Sequence, residues 1–150
     1  MSEGLTPNPE AGEKLAEQVV VLLKPGHADK IERLVKYLEK KGLKILDQQT
    51  VTLNEDIARN FYPHAEGAIK EMFGSKEGEA KMREFIEYLS SDEVMALLVE
   101  GEDSIEIVSR LKDKVRAWFE LQKPEDAIHA SSDIEEAQRE AAVLGLGNPR

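Results

Sequence analysis

The period of the hydrophobic positions changes several times along the chain, and each change marks a new element. Gln18 to Leu23 (QVVVLL) is apolar without alternation, which predicts a central strand covered on both faces. Lys24-Pro25-Gly26 stops it. From Ala28 to Lys41, Ile31, Leu34, Val35 and Leu38 recur at helical spacing, and Gly42 closes that helix. Leu43 to Leu53 reads as a second, half-polar strand. Asn54 is placed to cap the next helix, whose apolar side is Ile57, Phe61 and Tyr62. Gly67, Gly74 and Gly78 punctuate residues 63–78, and Glu79 to Leu89 then resumes as helix with Met82, Phe85, Ile86 and Leu89 on one face. Glu93 to Val99 is apolar throughout, a third strand and again a central one. Asp103 with Glu106 predicts a capped helix carrying Ile105, Val108 and Leu111. Val115, Ala117, Phe119 and Leu121 next alternate with Arg116, Trp118 and Glu120, the pattern of a fourth strand, and Pro124 ends it. Ser132 followed by Glu135 has the form of a capping box, and Ile134, Ala137, Ala141 and Leu144 form the stripe of a closing helix.

That order, β-α-β-(α-α)-β-α-β-α, is an α+β fold: a ferredoxin-like split βαβ with a four-stranded antiparallel sheet, an extra helical pair and a closing helix. Residues 1–16, with Gly4, Pro7, Pro9 and Gly12 among Ser, Thr and Glu, are expected to be a flexible N-terminal arm. The domain proper is expected over 17–145, ending in a C-cap at Gly145, with 146–150 as a C-terminal tail.

Composition narrows the partners. With 30 acidic and 20 basic residues among 150, the net charge is −10, which disfavours a nucleic acid or an anionic membrane surface. The chain has no cysteine, so neither a disulfide nor a thiolate metal site is available. No apolar run reaches the length of a membrane span or a signal-peptide core, and the expected location is the cytoplasm.

Candidate chemistry gathers around His129, just before the closing helix. Free N–H groups and the helix dipole favour an anion there, and an imidazole beside an anion can carry a phosphoryl group. Arg116 lies 13 residues before His129, Ser131 two after it and Glu140 eleven after it. Glu140 is placed to fold back beneath the ring, accept a proton from Nδ1 and so orient it.

The segment Ile128-His129-Ala130-Ser131, opening a helix rich in Glu and Ala, resembles the nucleoside diphosphate kinase family. The resemblance extends to Arg116 at the place of a phosphate-binding arginine and to Glu140 at that of the histidine-orienting glutamate. It also covers Lys24-Pro25 at the end of the first strand, whose lysine reaches the transferred phosphate in the family, and Tyr62, matching a tyrosine that approaches the histidine and the phosphates. It implies ping-pong transfer of the γ-phosphoryl group of a nucleoside triphosphate to His129 and on to a diphosphate, with Mg²⁺ accompanying the nucleotide. Ser131 would support Glu140, and Lys24, Tyr62 and Arg116 would neutralise charge.

The sequence also departs from the family pattern. The long loop before the arginine strand is shortened, which removes a phosphate-contacting threonine; Arg110 could stand in for a nearby arginine. The ribose-contacting asparagine is replaced by Asp126. The base-stacking phenylalanine falls near Lys81, with Phe73 or Phe85 as substitutes. Shortened domains of this family are found in ciliary and flagellar proteins, where many look structural. Two readings therefore stand at this stage. The first is a module with a degenerate nucleotide cradle and weak nucleotide affinity, serving protein partners in a larger, axonemal assembly. The second is an active, divergent kinase. The family's long loop helps build its hexamers, so a typical hexamer is not expected here. No metal held by protein side chains is expected.

Overall fold

The computed structural model describes residues 17–119 and 128–147, with the side chains at 112, 113 and 115–119 outside that description. The described strands are β1 (Glu17–Leu23), β2 (Lys44–Val51), β3 (Val94–Gly101) and β4 (Ile128–Ala130). They form one four-stranded sheet in the order β2-β3-β1-β4, and every neighbouring pair is antiparallel. The helices are α1 (Ile31–Lys40), preceded by a 3₁₀ turn at Ala28–Lys30, α2 (Glu55–Phe61), α3 (Ala65–Phe73), α4 (Ser75–Leu89), α5 (Ser104–Phe119) and α6 (Ile134–Leu144). The two strands without alternation, β1 and β3, occupy the centre of the sheet, as their two-sided burial demands.

Side chains of β1 alternate between two cores. Val19, Val21 and Leu23 face α1 and α5, where they meet Leu34, Leu38, Val108 and Leu111 together with Ile128 and Ala130 of β4. Val20 and Leu22 face the other way, toward Phe61 of α2, Leu89 of α4 and Leu144 of α6. Paired residues of antiparallel strands share a face, and His129 stands opposite Leu22. The histidine therefore points into the layer formed by α2, α4 and α6.

The fourth strand differs from the sequence expectation. Residues 115–119 continue α5 instead of forming a strand, and the strand that completes the sheet is Ile128–Ala130. The reason lies in the ambiguity of short apolar patterns. Ile105, Val108 and Leu111 are spaced as one helical face, and Val115 and Trp118 extend that spacing with no Gly or Pro to interrupt it. The same positions also satisfy a period of two over residues 115–121. The link from α5 to β4 is thus residues 120–127, which lie outside the described part.

Two smaller differences bear on packing. Helix α4 starts at Ser75, earlier than the Glu79 expected, because Gly78 sits inside it as a contact residue and not as a breaker. A Cβ at Gly78 would lie 2.8 Å from Cα of Lys70, so the absent side chain is what lets α3 and α4 approach. At the C-terminus Gly145 caps α6 in the left-handed conformation, but packing continues past it. Leu146 is buried in the second core, and the Gly147 N–H donates to Asp47 Oδ2 at 2.7 Å. Among the described residues no helix is long and apolar enough to cross a membrane.

Gly78→Ala is expected to destabilise the protein by about 1–2 kcal/mol, although alanine alone would favour the helix by about 1 kcal/mol. Urea unfolding checks this, since an unchanged or raised midpoint would mean that α3 and α4 separate freely.

Candidate active site

The site is built where β4 runs into α6. Ser131 fixes the join: its N–H donates to the Val20 carbonyl at 3.0 Å, while its Oγ accepts from the Val20 N–H at 2.9 Å. With Oγ accepting there, its proton goes to Glu140 Oε1 at 2.8 Å, a much better fit than the Val20 carbonyl at 3.4 Å. The other carboxylate oxygen, Glu140 Oε2, lies 2.8 Å from His129 Nε2. The side chain of Glu140 is 1% exposed and that of His129 is 16% exposed, so the pair is almost closed from solvent.

This arrangement corrects the expected ring orientation. Glu140 engages Nε2 and not Nδ1. An oxygen acceptor at Nε2 places the ring proton there and leaves the lone pair on Nδ1. Among the described residues Nδ1 has no hydrogen-bond partner. The ring nitrogen left with an open lone pair is therefore Nδ1.

Aromatic rings wall the imidazole. Phe61 and Tyr62, at the end of α2, meet it edge-on with centroid separations of 4.8 and 5.2 Å. Phe85 packs edge-on against Tyr62 at 5.2 Å, and Lys24 Nζ stands 5.9 Å from the Tyr62 ring centroid. The Tyr62 hydroxyl is buried with no hydrogen-bond partner among the described residues. Burial, reinforced by Glu140, Tyr88 and Glu136, pushes its pKa well above the ordinary 10.

The cap of α6 is displaced by one residue from its expected position. Asp133, not Ser132, is the N-cap, and its carboxylate accepts from the Glu136 N–H at 2.7 Å. Glu136, not Glu135, reaches back: its Oε1 accepts from the Ser132 N–H at 2.8 Å and from Ser132 Oγ at 3.1 Å. An aspartate outcompetes the neighbouring serine here because its charge also meets the helix dipole. As a result the helix N-terminus that sequence reasoning offered to an anion already holds two of the chain's own carboxylates.

The structure brings together His129, Glu140, Ser131 and Tyr62, with Lys24 beside Tyr62. It does not do so for all the expected residues. Arg110 is 79% exposed, pairs with Glu106 at 2.8 Å, and belongs to α5 on the opposite layer from His129. Arg116 lies on α5 with its side chain outside the described part, and Asp126 lies outside it altogether. Of the two substitute aromatics, Phe85 is inside the aromatic wall, whereas Phe73 is at the surface beneath Lys81 Nζ, 5.3 Å from its ring.

Sequence reasoning missed three neighbours. Phe61 was legible only as a helix-face residue. Glu136 and Arg139 carry no motif, although both lie within a turn of Glu140. Arg139 Nη1 donates to the carbonyls of Asn60 and Phe61 at 2.6 and 3.2 Å, and its Nη2 is 3.7 Å from Glu140 Oε2. Ligand atoms of His129, Glu136 and Glu140 lie within 4.8 Å of one another. Both Glu140 oxygens and Glu136 Oε1 accept hydrogen bonds within the site.

Comparison with known proteins places the chain among relatives of one family. The family model described as nucleoside diphosphate kinase matches residues 17–144. The chain is 29% identical to a nucleoside diphosphate kinase of Saccharolobus islandicus (strain L.S.2.15 / Lassen #1) over 140 residues, covering 85% of this chain and 94% of that one. It is also 29% identical to the enzyme of that name from Exiguobacterium sibiricum, covering 89% of this chain and 97% of that one. In fold it resembles the crystal structure of an NDP kinase from Pyrobaculum aerophilum, with a TM-score of 0.72 at 19% identity over 86% of this chain and 95% of that one. The chain belongs to the nucleoside diphosphate kinase family.

Two outcomes follow from the hydrogen-bond chain and from the buried hydroxyl. Ser131→Ala strands the Val20 N–H and one Glu140 oxygen, and should cost about 1–3 kcal/mol in chemical denaturation; a neutral variant would show that the serine is dispensable. Tyr62 favours its neutral form in the folded protein more than in the unfolded chain. Its contribution is therefore intact below about pH 10 and is lost as pH rises toward the folded value. Tyr62→Phe should be near neutral in stability at about pH 8 and lose less than the parent at about pH 11, read from urea midpoints.

Proposed function

We propose that this chain carries phosphoryl groups on His129, taking them from a nucleoside triphosphate and passing them to a diphosphate, with the nucleotide itself held weakly. The observation that carries this reading is the Glu140–Nε2 contact at 2.8 Å, which leaves Nδ1 as the available nucleophile beside the edges of Phe61 and Tyr62. The Nδ1 lone pair attacks the γ-phosphorus; an N–P bond forms as the β–γ bridging P–O bond breaks, and its electron pair leaves with the diphosphate. The Nε2 proton stays on the ring, facing Glu140, so the phosphorylated imidazole remains balanced. The second half-reaction reverses these steps on an incoming diphosphate.

Such transfer rests on positioning and charge neutralisation. Lys24 and Arg116 are the cations we assign to the transferring group, and the Tyr62 hydroxyl is a donor for one of its oxygens. Mg²⁺, which members of this family use with the nucleotide, would be held by the phosphates and would supply charge neutralisation there. Asp126, in the place of a ribose contact, and the shortened stretch before β4 weaken the hold on nucleotide. The carboxylates of Asp133 and Glu136 at the start of α6 weaken it further.

The same features support a second reading, in which the domain serves mainly as a binding or assembly module, of the kind found in ciliary and flagellar proteins. The short link from α5 to β4 favours a monomer, a dimer or a subunit of a mixed assembly over a hexamer.

Incubation with ATP and Mg²⁺ should leave an acid-labile phosphate on His129. His129→Ala should abolish it, while His27→Ala and His64→Ala should retain it; label on His64 instead would overturn the assignment. Calorimetry should give an ATP affinity weaker than about 100 μM. Absence of any phosphohistidine would leave the assembly reading in possession.

A further inference from the structure

Arg139 joins two parts of the site that are distant in sequence. Helix α2 ends at Phe61, and its last carbonyls have no partner within the helix. Arg139 Nη1 serves two of them, donating to the Asn60 carbonyl at 2.6 Å and the Phe61 carbonyl at 3.2 Å. The same guanidinium turns Nη2 toward Glu140 Oε2 at 3.7 Å, the oxygen that also faces His129. The carboxylate is 1% exposed, and its two hydrogen-bond partners are a hydroxyl and an imidazole. A buried carboxylate so placed needs positive charge nearby, and Arg139 is the cation at salt-bridge distance among the described residues. The arginine fork suits this task because its geometry is fixed and its charge does not titrate in the accessible range.

We infer that Arg139 is a positioning residue for His129, holding the α2 terminus and its aromatic pair against the imidazole while offsetting the charge of Glu140. Two effects follow from one side chain. Phe61 and Tyr62 are kept edge-on to the ring, which limits its rotation. Glu140 is held against the Nε2 proton, which leaves Nδ1 as the site of attack. Arg139 does not touch the reacting atoms, and its influence passes through Glu140 and the last turn of α2. The kinetic part of this inference rests on the phosphohistidine reading above; the geometric part does not.

The test compares Arg139→Met, Arg139→Lys and the parent. In the unphosphorylated proteins at neutral pH, ring ¹⁵N resonances of His129 report its tautomer and environment by NMR. Arg139→Met should move them, and Arg139→Lys should return them most of the way. In phosphorylation by ATP and Mg²⁺, Arg139→Met should slow labelling of His129 by roughly tenfold or more with the apparent KM within about twofold. If Arg139→Met does not fold, Arg139→Gln is read in its place. Unchanged ring resonances in a folded variant would overturn the inference, whatever its activity. A parent protein that takes no phosphate would refute the functional reading while leaving the resonance comparison to decide the role of Arg139.

Discussion

A carboxylate that is almost wholly buried sets the conditions for the rest of the site. Removing a charge of this kind from water is costly, and the cost is tolerable only when hydrogen bonds and an opposing charge surround it. Glu140 receives the Ser131 hydroxyl on one oxygen and His129 on the other, with the Arg139 guanidinium close by. Each partner is in turn fixed by something else: Ser131 by the backbone of Val20, His129 by two aromatic edges, Arg139 by the end of α2. Losing any one leaves the carboxylate short of a partner, so β1, β4, α2 and α6 are held to one mutual arrangement.

The sheet makes that arrangement possible by dividing its faces. Two-sided burial of β1 sends alternate side chains into separate cores, and the antiparallel register carries His129 to the same face as Val20 and Leu22. The short helix α2 contributes the aromatic wall because its last residue, Phe61, is buried in that core while Tyr62 follows at the exit. Charge is distributed unevenly around the ring. Lys24 stands over the Tyr62 ring and Arg139 beside Glu140, whereas Glu136 and Asp133 occupy the start of α6. A phosphate arriving at Nδ1 would therefore meet acidic neighbours as well as cations, which is the physical basis for expecting weak nucleotide affinity alongside an intact histidine.

Much of this was legible in the sequence, for identifiable reasons. Strands β1 and β3 stood out because unbroken apolar runs have few alternatives, and the Asn54 cap and the Gly145 terminator are strong local signals. The pairing of His129 with Glu140 was readable from spacing across a loop and two helical turns, and that of Ser131 with Glu140 from the family resemblance. The fourth strand was not. Residues 115–121 satisfy both periods, and the actual strand, Ile128–Ala130, is three residues long, too short for any period to register. Its identity depends on pairing with Val21 to Leu23, a contact that local pattern cannot announce. Arg139 was invisible for a related reason, since its partners are carbonyls nearly eighty positions away. The ring nitrogen facing Glu140 depends on the exact approach of a helix, which spacing leaves open.

The Val20–Ser131 hydrogen bond spans 111 positions of the chain, and its consequence reaches into biosynthesis. Strand β1 is made before β4, so one edge of β1 waits unpaired while the residues between the two strands emerge. An apolar strand with an open edge is a template for wrong pairing until its partner arrives. Only when β4 docks does the edge close, and the same event buries Glu140 and sets the imidazole. Closing that edge and forming the contacts among His129, Glu140 and Ser131 are thus a single step, and a chain stalled before it has neither.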